Sequence, residues 1–237
     1  MGSVAAFFCF TPGIDVPNYH AALLLAVIGS LVVGPAGVFA ARRALIAREN
    51  PFLAALRATW LPSVIPIVLL LLNGFRVRLC DVTGGLAFMA VGPVFSMLWT
   101  SQLGAALSTA FLRRRPAVIA FYLVFLGWVA VDVLHVLRHP AIFVFNPFAG
   151  FFSGAIYDSV IEIDSRLLLY RLNNLAQLAF LYALVRANWD AKLGRFRVGA
   201  RTSATPYVAL ALTAAVALGF WVSRGRIGYE VSRDEVE

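Results

Sequence analysis

The stretch Asp132-Val-Leu-His135-Val-Leu-Arg138-His139 gathers three side chains that can ligate a metal or move a proton. On a helix, offsets of three and seven residues from Asp132 leave all three within ~60° of one another. His135 and His139 stand four apart, a spacing that presents two imidazoles to one ion. His20 is the only other histidine. Together with Glu162, the set His20, His135 and His139 would hold zinc or another divalent cation. A zinc-bound water would then be a nucleophile, giving an intramembrane metal-dependent hydrolase with its site at the outer face. Against this, the HxxxH pattern lacks the glutamate of the metalloprotease helix motif. Pro140 also tends to unwind the helix at His139. A histidine where a helix leaves a bilayer needs no special role, so a non-enzymatic protein is the favoured expectation.

Asp132 has a second candidate partner. It lies ~7.5 Å inside the end of its apolar run, counted at the helical rise. Arg171 lies about as deep in the next run. A charge inside a bilayer costs about 2.5–3.5 kcal/mol on insertion scales, and a partner at equal depth lowers that cost. The expectation is an intramembrane Asp132–Arg171 ion pair, extended by Asn173 and Asn174 or merely flanked by them as helix-start caps. Cys9 and Cys80 are the only cysteines, and both fall outside the apolar runs on one predicted side. In an oxidising compartment a Cys9–Cys80 disulfide is open to them, as are two unpaired thiols. Thr100, Ser101, Gln102, Ser108 and Thr109 would line a path or bond neighbouring helices. Neither a glycine-rich nucleotide loop nor a G-x-S-x-G serine motif is present.

The elements that must carry these residues follow from composition. The chain has 237 residues, 61% hydrophobic and 14% charged, whereas a soluble domain carries about 25% charged residues. Six apolar runs, 20–41, 58–75, 86–112, 117–137, 167–185 and 206–222, are near the ~20 residues that span a bilayer. The expected fold is all-α, a polytopic bundle of six transmembrane helices embedded in the lipid bilayer. The formal charge of +8 is not read as a nucleic-acid footprint, because the positives cluster between apolar runs. Segments 42–57, 113–116 and 186–205 hold 12 of the 20 basic residues in 40 positions, while 1–19, 76–85, 138–166 and 223–237 hold 7 in 73. The positive-inside rule makes the first set cytoplasmic, which places the segment 1–19 and the tail 223–237 outside. Only Lys192 is a lysine, a composition that suggests a GC-rich bacterial genome and hence a bacterial inner membrane. Pro35, Pro62, Pro66 and Pro93 predict bends in the first three spans. Gly29, Gly34, Gly37, Gly92 and Gly104 predict close helix packing.

The loop 138–166 is too aromatic for a linker, and Pro147, Gly150 and Gly154 predict turns within a re-entrant or surface-lying segment. Within it, Asn146-Pro147-Phe148, Gly150-Phe151-Phe152, Gly154 and Tyr157-Asp158 resemble an outer-loop pattern of bacterial multi-span proteins. In those, the spans precede an extracytoplasmic peptidase-MA-like or tetratricopeptide domain. The resemblance covers about 15 residues closely, and no such domain follows before Glu237. It implies a membrane anchor or assembly component, acting with an extracytoplasmic partner or domain or as a homo-oligomer. A transporter or channel subunit is the alternative that the kinked spans suggest.

Overall fold

A computed structural model describes residues 1–77, 81–111, 113–138, 143–153, 163–190, 195–196 and 204–223. The protein is an all-α bundle, with five helices long and apolar enough to cross a membrane: Tyr19–Ile46, Pro51–Asn73, Val82–Ala110, Arg114–Arg138 and Thr205–Val222. In chain order the elements are α1 (Gly2–Phe8), α2 (Tyr19–Ile46), α3 (Pro51–Asn73), α4 (Val82–Met89), a π-helical turn Ala90–Val94, α5 (Phe95–Ala110) and α6 (Arg114–Arg138). A hairpin of β1 (Phe143–Asn146) and β2 (Gly150–Ser153) follows, then α7 (Ser165–Asn188), β3 (Trp189–Asp190), β4 (Arg195–Phe196) and α8 (Thr205–Val222). Helix α4, the π turn and α5 form one continuous rod.

Side-chain caps set several helix starts. Asn18 Oδ1 accepts the Ala21 amide at 2.8 Å, and Asn50 Oδ1 accepts those of Phe52 and Leu53, with Pro51 in the first helical turn. Asp81 Oδ1 accepts the Gly84 amide at 2.9 Å. That bond, with a second from Thr83, holds its exposed carboxyl below the ordinary value. The Asn50 cap starts α3 ahead of its expected bound, and α2 outruns its own at the opposite end from its cap. Helix α2 runs on through Arg42 and Arg43, and α3 starts seven residues before the expected 58. The α2–α3 connection turns at Arg48, φ 58°, with the Glu49 amide closing on Ala44 O.

Helix α2 packs on α5 through small residues. A side chain at Gly104 would collide with the Gly34 carbonyl oxygen and Val38, and one at Gly37 with the Ser101 backbone. Thr59 on α3 bonds Ser101 Oγ at 3.3 Å, and Gln102 Nε2 donates to Phe52 O. Ser101 and Gln102 thus bond a neighbouring helix, whereas the Thr100 and Thr109 hydroxyls donate to Met97 O and Ala106 O of their own. Helix α1 lies along α3, with Gly2 near Ile65 and Cys9 Sγ 3.9 Å from Leu69 O. Asn73 and Arg76 hold the end of that segment by donating to Cys9 O. Helix α7 forms where a span was expected, over Ser165–Asn188. Its Arg171, Asn173 and Asn174 are buried, while Leu168, Leu172 and Leu175 are about half exposed. Helix α8 packs on α7 and buries none of its residues.

Candidate functional site

The turn Pro147–Ala149 of the β1–β2 hairpin enters the bundle. Strand pairing runs from Phe143↔Ser153 to Asn146↔Gly150, so the hairpin delivers Phe148 at its tip. Phe148 is 1% exposed. Its ring meets Trp99, Phe121, Phe125 and Trp128 edge-on, with centroids 5.4, 6.4, 4.7 and 6.3 Å away. Ser30 Oγ donates to Phe148 O at 3.0 Å. Ser30 stands eleven residues into α2, so the turn reaches ~16 Å along that helix, about half the ~30 Å of a hydrocarbon core. Backbone polar groups at that depth must be satisfied by protein, and Pro147 O, Phe148 O and the Phe148 and Ala149 amides each find a side-chain partner.

Asn146 is the hub of the turn. Its Oδ1 accepts the amides of Phe148 at 2.7 Å and Ala149 at 3.1 Å, an Asx-turn arrangement. Its Nδ2 donates to Asp132 Oδ2. From the opposite side Arg171 donates Nη1 to Pro147 O at 3.4 Å and to Asn174 Oδ1 at 3.2 Å. Its Nε reaches Val91 O at 2.8 Å, and Nη2 reaches Gly92 O at 3.2 Å and Ser96 Oγ at 2.9 Å. Val91 and Gly92 lie on the π turn, where Pro93 lacks the amide an α-helix would use. The guanidinium also sits over the Phe95 ring, 4.7 Å from its centroid. Gly150 leaves room for it: φ is +91°, and a Cβ there would lie 2.8 Å from Nη2. Trp99 Nε1 donates to Asn174 O at 3.2 Å and Tyr19 OH to Phe151 O at 3.3 Å, closing the surroundings.

Among the described residues the expected Asp132–Arg171 ion pair is not found. The two charges grip one turn from opposite sides, Asp132 through Asn146 and Arg171 through Pro147 O. The physical reason is that a guanidinium has five donors in a planar fork, and five neutral oxygens surround it. Carbonyl dipoles and an aromatic face replace the carboxylate as counter-charge. Asn173 and Asn174 are buried within α7 rather than capping its start.

The metal set is only partly visible. His20 is exposed and stacks edge-on against Tyr19, centroids 5.3 Å apart. His135 is half-buried on α6, one turn from Asp132. His139 and Glu162 lie outside the described residues, and among the described residues no three histidine, cysteine or acidic side chains gather as a metal site. Cys80 also lies outside them, and Cys9 is half-buried.

Sequence reasoning missed Asn146, Phe148, Ser30, Ser96 and Trp99 as members of this centre. The Asn-Pro-Phe triplet marked the turn, and nothing in the residue types marked its burial. Comparison of the chain with family models, curated proteins and solved structures finds no match in any of the three.

Proposed function

We infer that the chain is a polytopic inner-membrane scaffold that holds an extracytoplasmic partner or domain at the bilayer, with six spans and both termini outside. The observation that supports this most is the buried turn Pro147–Ala149, closed around Phe148 and fixed by Ser30, Asp132–Asn146 and Arg171. Aromatic rings fill the place where a solute path between α2, α5 and α6 would run. Asp132 and Arg171, charges that are costly in lipid, are engaged with side-chain and backbone groups of the protein, as expected of structural rather than transported-ion chemistry. The hairpin is thereby a rigid feature of the bundle's outer half, and the half-exposed Phe152 on β2 is a surface that a partner can contact.

A photo-crosslinking residue at Phe152 in intact cells tests the reading. The expected product is an adduct with one extracytoplasmic protein that leaves the membrane fraction when this chain is deleted and returns on re-expression. Solute flux in proteoliposomes above protein-free vesicles would overturn it in favour of transport. A stoichiometric metal lost in His135→Ala would overturn it in favour of the hydrolase.

A further inference from the structure

At the end of the bundle where α2 closes and α6 begins, a groove of about 790 Å³ is lined by Phe39, Val118 and Ile119 and by Arg113, Arg114 and Arg115. Phe39 is 43% and Ile119 58% exposed, so the apolar wall opens at the surface of the bundle. The three arginines are exposed, and among the described residues no side chain of theirs has a hydrogen bond or ion pair. This contrasts with Arg171, whose donors are all engaged. No acidic residue lies between Asp81 and Asp132 or between Asp15 and Glu49, so neither helix supplies a counter-charge beside the groove. Arg114 also opens α6, a 25-residue helix whose first amides point towards the same end.

We propose that this groove binds an anionic glycerophospholipid, with its phosphate among Arg113, Arg114 and Arg115 and one acyl chain along Phe39, Val118 and Ile119. Charge complementarity selects the occupant. Three uncompensated guanidinium groups favour a phosphate carrying net negative charge, and repel the ammonium of a zwitterionic headgroup. The apolar wall adds what a free phosphate cannot use, a surface for hydrocarbon beside the charge. Basic pockets between helices at a membrane face are suited to such headgroups. The site is separate from the anchoring role, and failure of either leaves the other standing.

The test is lipid titration of the detergent-purified full chain, read by native mass spectrometry, with phosphatidylglycerol, phosphatidylcholine and glycerol 3-phosphate as probes. Phosphatidylglycerol is expected to bind more tightly than the other two. Each arginine near the headgroup is worth about fivefold, so Arg113→Gln/Arg114→Gln/Arg115→Gln should weaken it on the order of 100-fold. Because that variant also alters the charges that orient the chain, Ile119→Trp serves as the second probe. It fills the groove, keeps every arginine, and should weaken phosphatidylglycerol while leaving the fold intact. Equal affinity for phosphatidylcholine would overturn the proposal. So would glycerol 3-phosphate binding as tightly as the lipid, or unchanged lipid affinity in Ile119→Trp.

Discussion

Arg171 makes five hydrogen bonds, and all five acceptors are neutral. Its removal takes a donor from the turn and from Val91 O, Gly92 O, Asn174 Oδ1 and Ser96 Oγ, in a buried place. Hydrogen bonds to a charged group are worth about 1.5–3 kcal/mol each, without simple additivity. Arg171→Met should therefore lower stability by roughly 3 kcal/mol or more in a detergent unfolding titration, and Arg171→Lys should recover only part, since an ammonium lacks the planar fork. Asp132 is a different case. Asn146 donates to it, and an amide oxygen can accept the same bond, though more weakly than a carboxylate. Asp132→Asn should stay within about 1 kcal/mol of wild type, the ordinary net worth of one hydrogen bond. A loss as large as that of Arg171→Met would restore the ion pair. The sequence singled out both charges, and the structure brings both to one turn. It could not supply their azimuth, and the acceptors that Arg171 found are backbone oxygens, which no residue type announces. Pro93 beside Gly92 was the one available sign of an irregular turn.

Helices were the most legible elements, because run length and composition constrain them directly. Each of the six expected runs largely coincides with helix; the starts at Pro51 and Val82 are set by the caps Asn50 and Asp81, while the second and third runs were drawn two residues past the helix ends at Asn73 and Ala110. The hairpin was legible only as a set of turn residues. Its insertion depends on a cavity walled by Trp99 of α5 and Phe121, Phe125 and Trp128 of α6, whose side-chain directions only the packed helices fix. Phe148→Ala should empty that cavity. Burying and then deleting an aromatic ring costs about 3–5 kcal/mol in protein cores, and a drop of that order in detergent melting is expected, whereas Phe152→Ala on the same hairpin should change little. The α2–α5 contact makes a complementary prediction. A side chain at Gly104 has backbone on the far side and cannot be accommodated by a rotamer change. Overpacking of this kind costs about 1–3 kcal/mol, so Gly104→Val should destabilise clearly more than Gly127→Val, which faces open space. Equal melting of the two variants would mean that α2 and α5 are not in backbone contact.

At the scale of the molecule the open matter is the number of crossings, and α7 decides it. Mean hydropathy sets α7 apart from the five apolar helices, but hydropathy counts a residue without regard to where it faces. Arg171, Asn173 and Asn174 are each no more than 5% exposed, while Leu168, Leu172, Leu175 and Tyr182 form the exposed side. Lipid would therefore meet a leucine-rich face, and the polar atoms would meet protein, the arrangement that lets an ionisable residue sit in a span. At 24 residues α7 is ~36 Å long, more than the ~30 Å hydrocarbon core requires. The inferred topology then has a direct consequence for its two ends. With Cys9→Ser and Cys80→Ser as background, single cysteines at Asp164 and Trp189 should label from opposite sides with a membrane-impermeant thiol reagent, Asp164 from outside. A reporter at Glu237 should be active only outside the cytoplasm. Labelling of both cysteines from one side would make α7 a helix that does not cross. The charge asymmetry between loops would then have been misassigned from 186 onward, and α8 would run in the opposite sense to the one inferred.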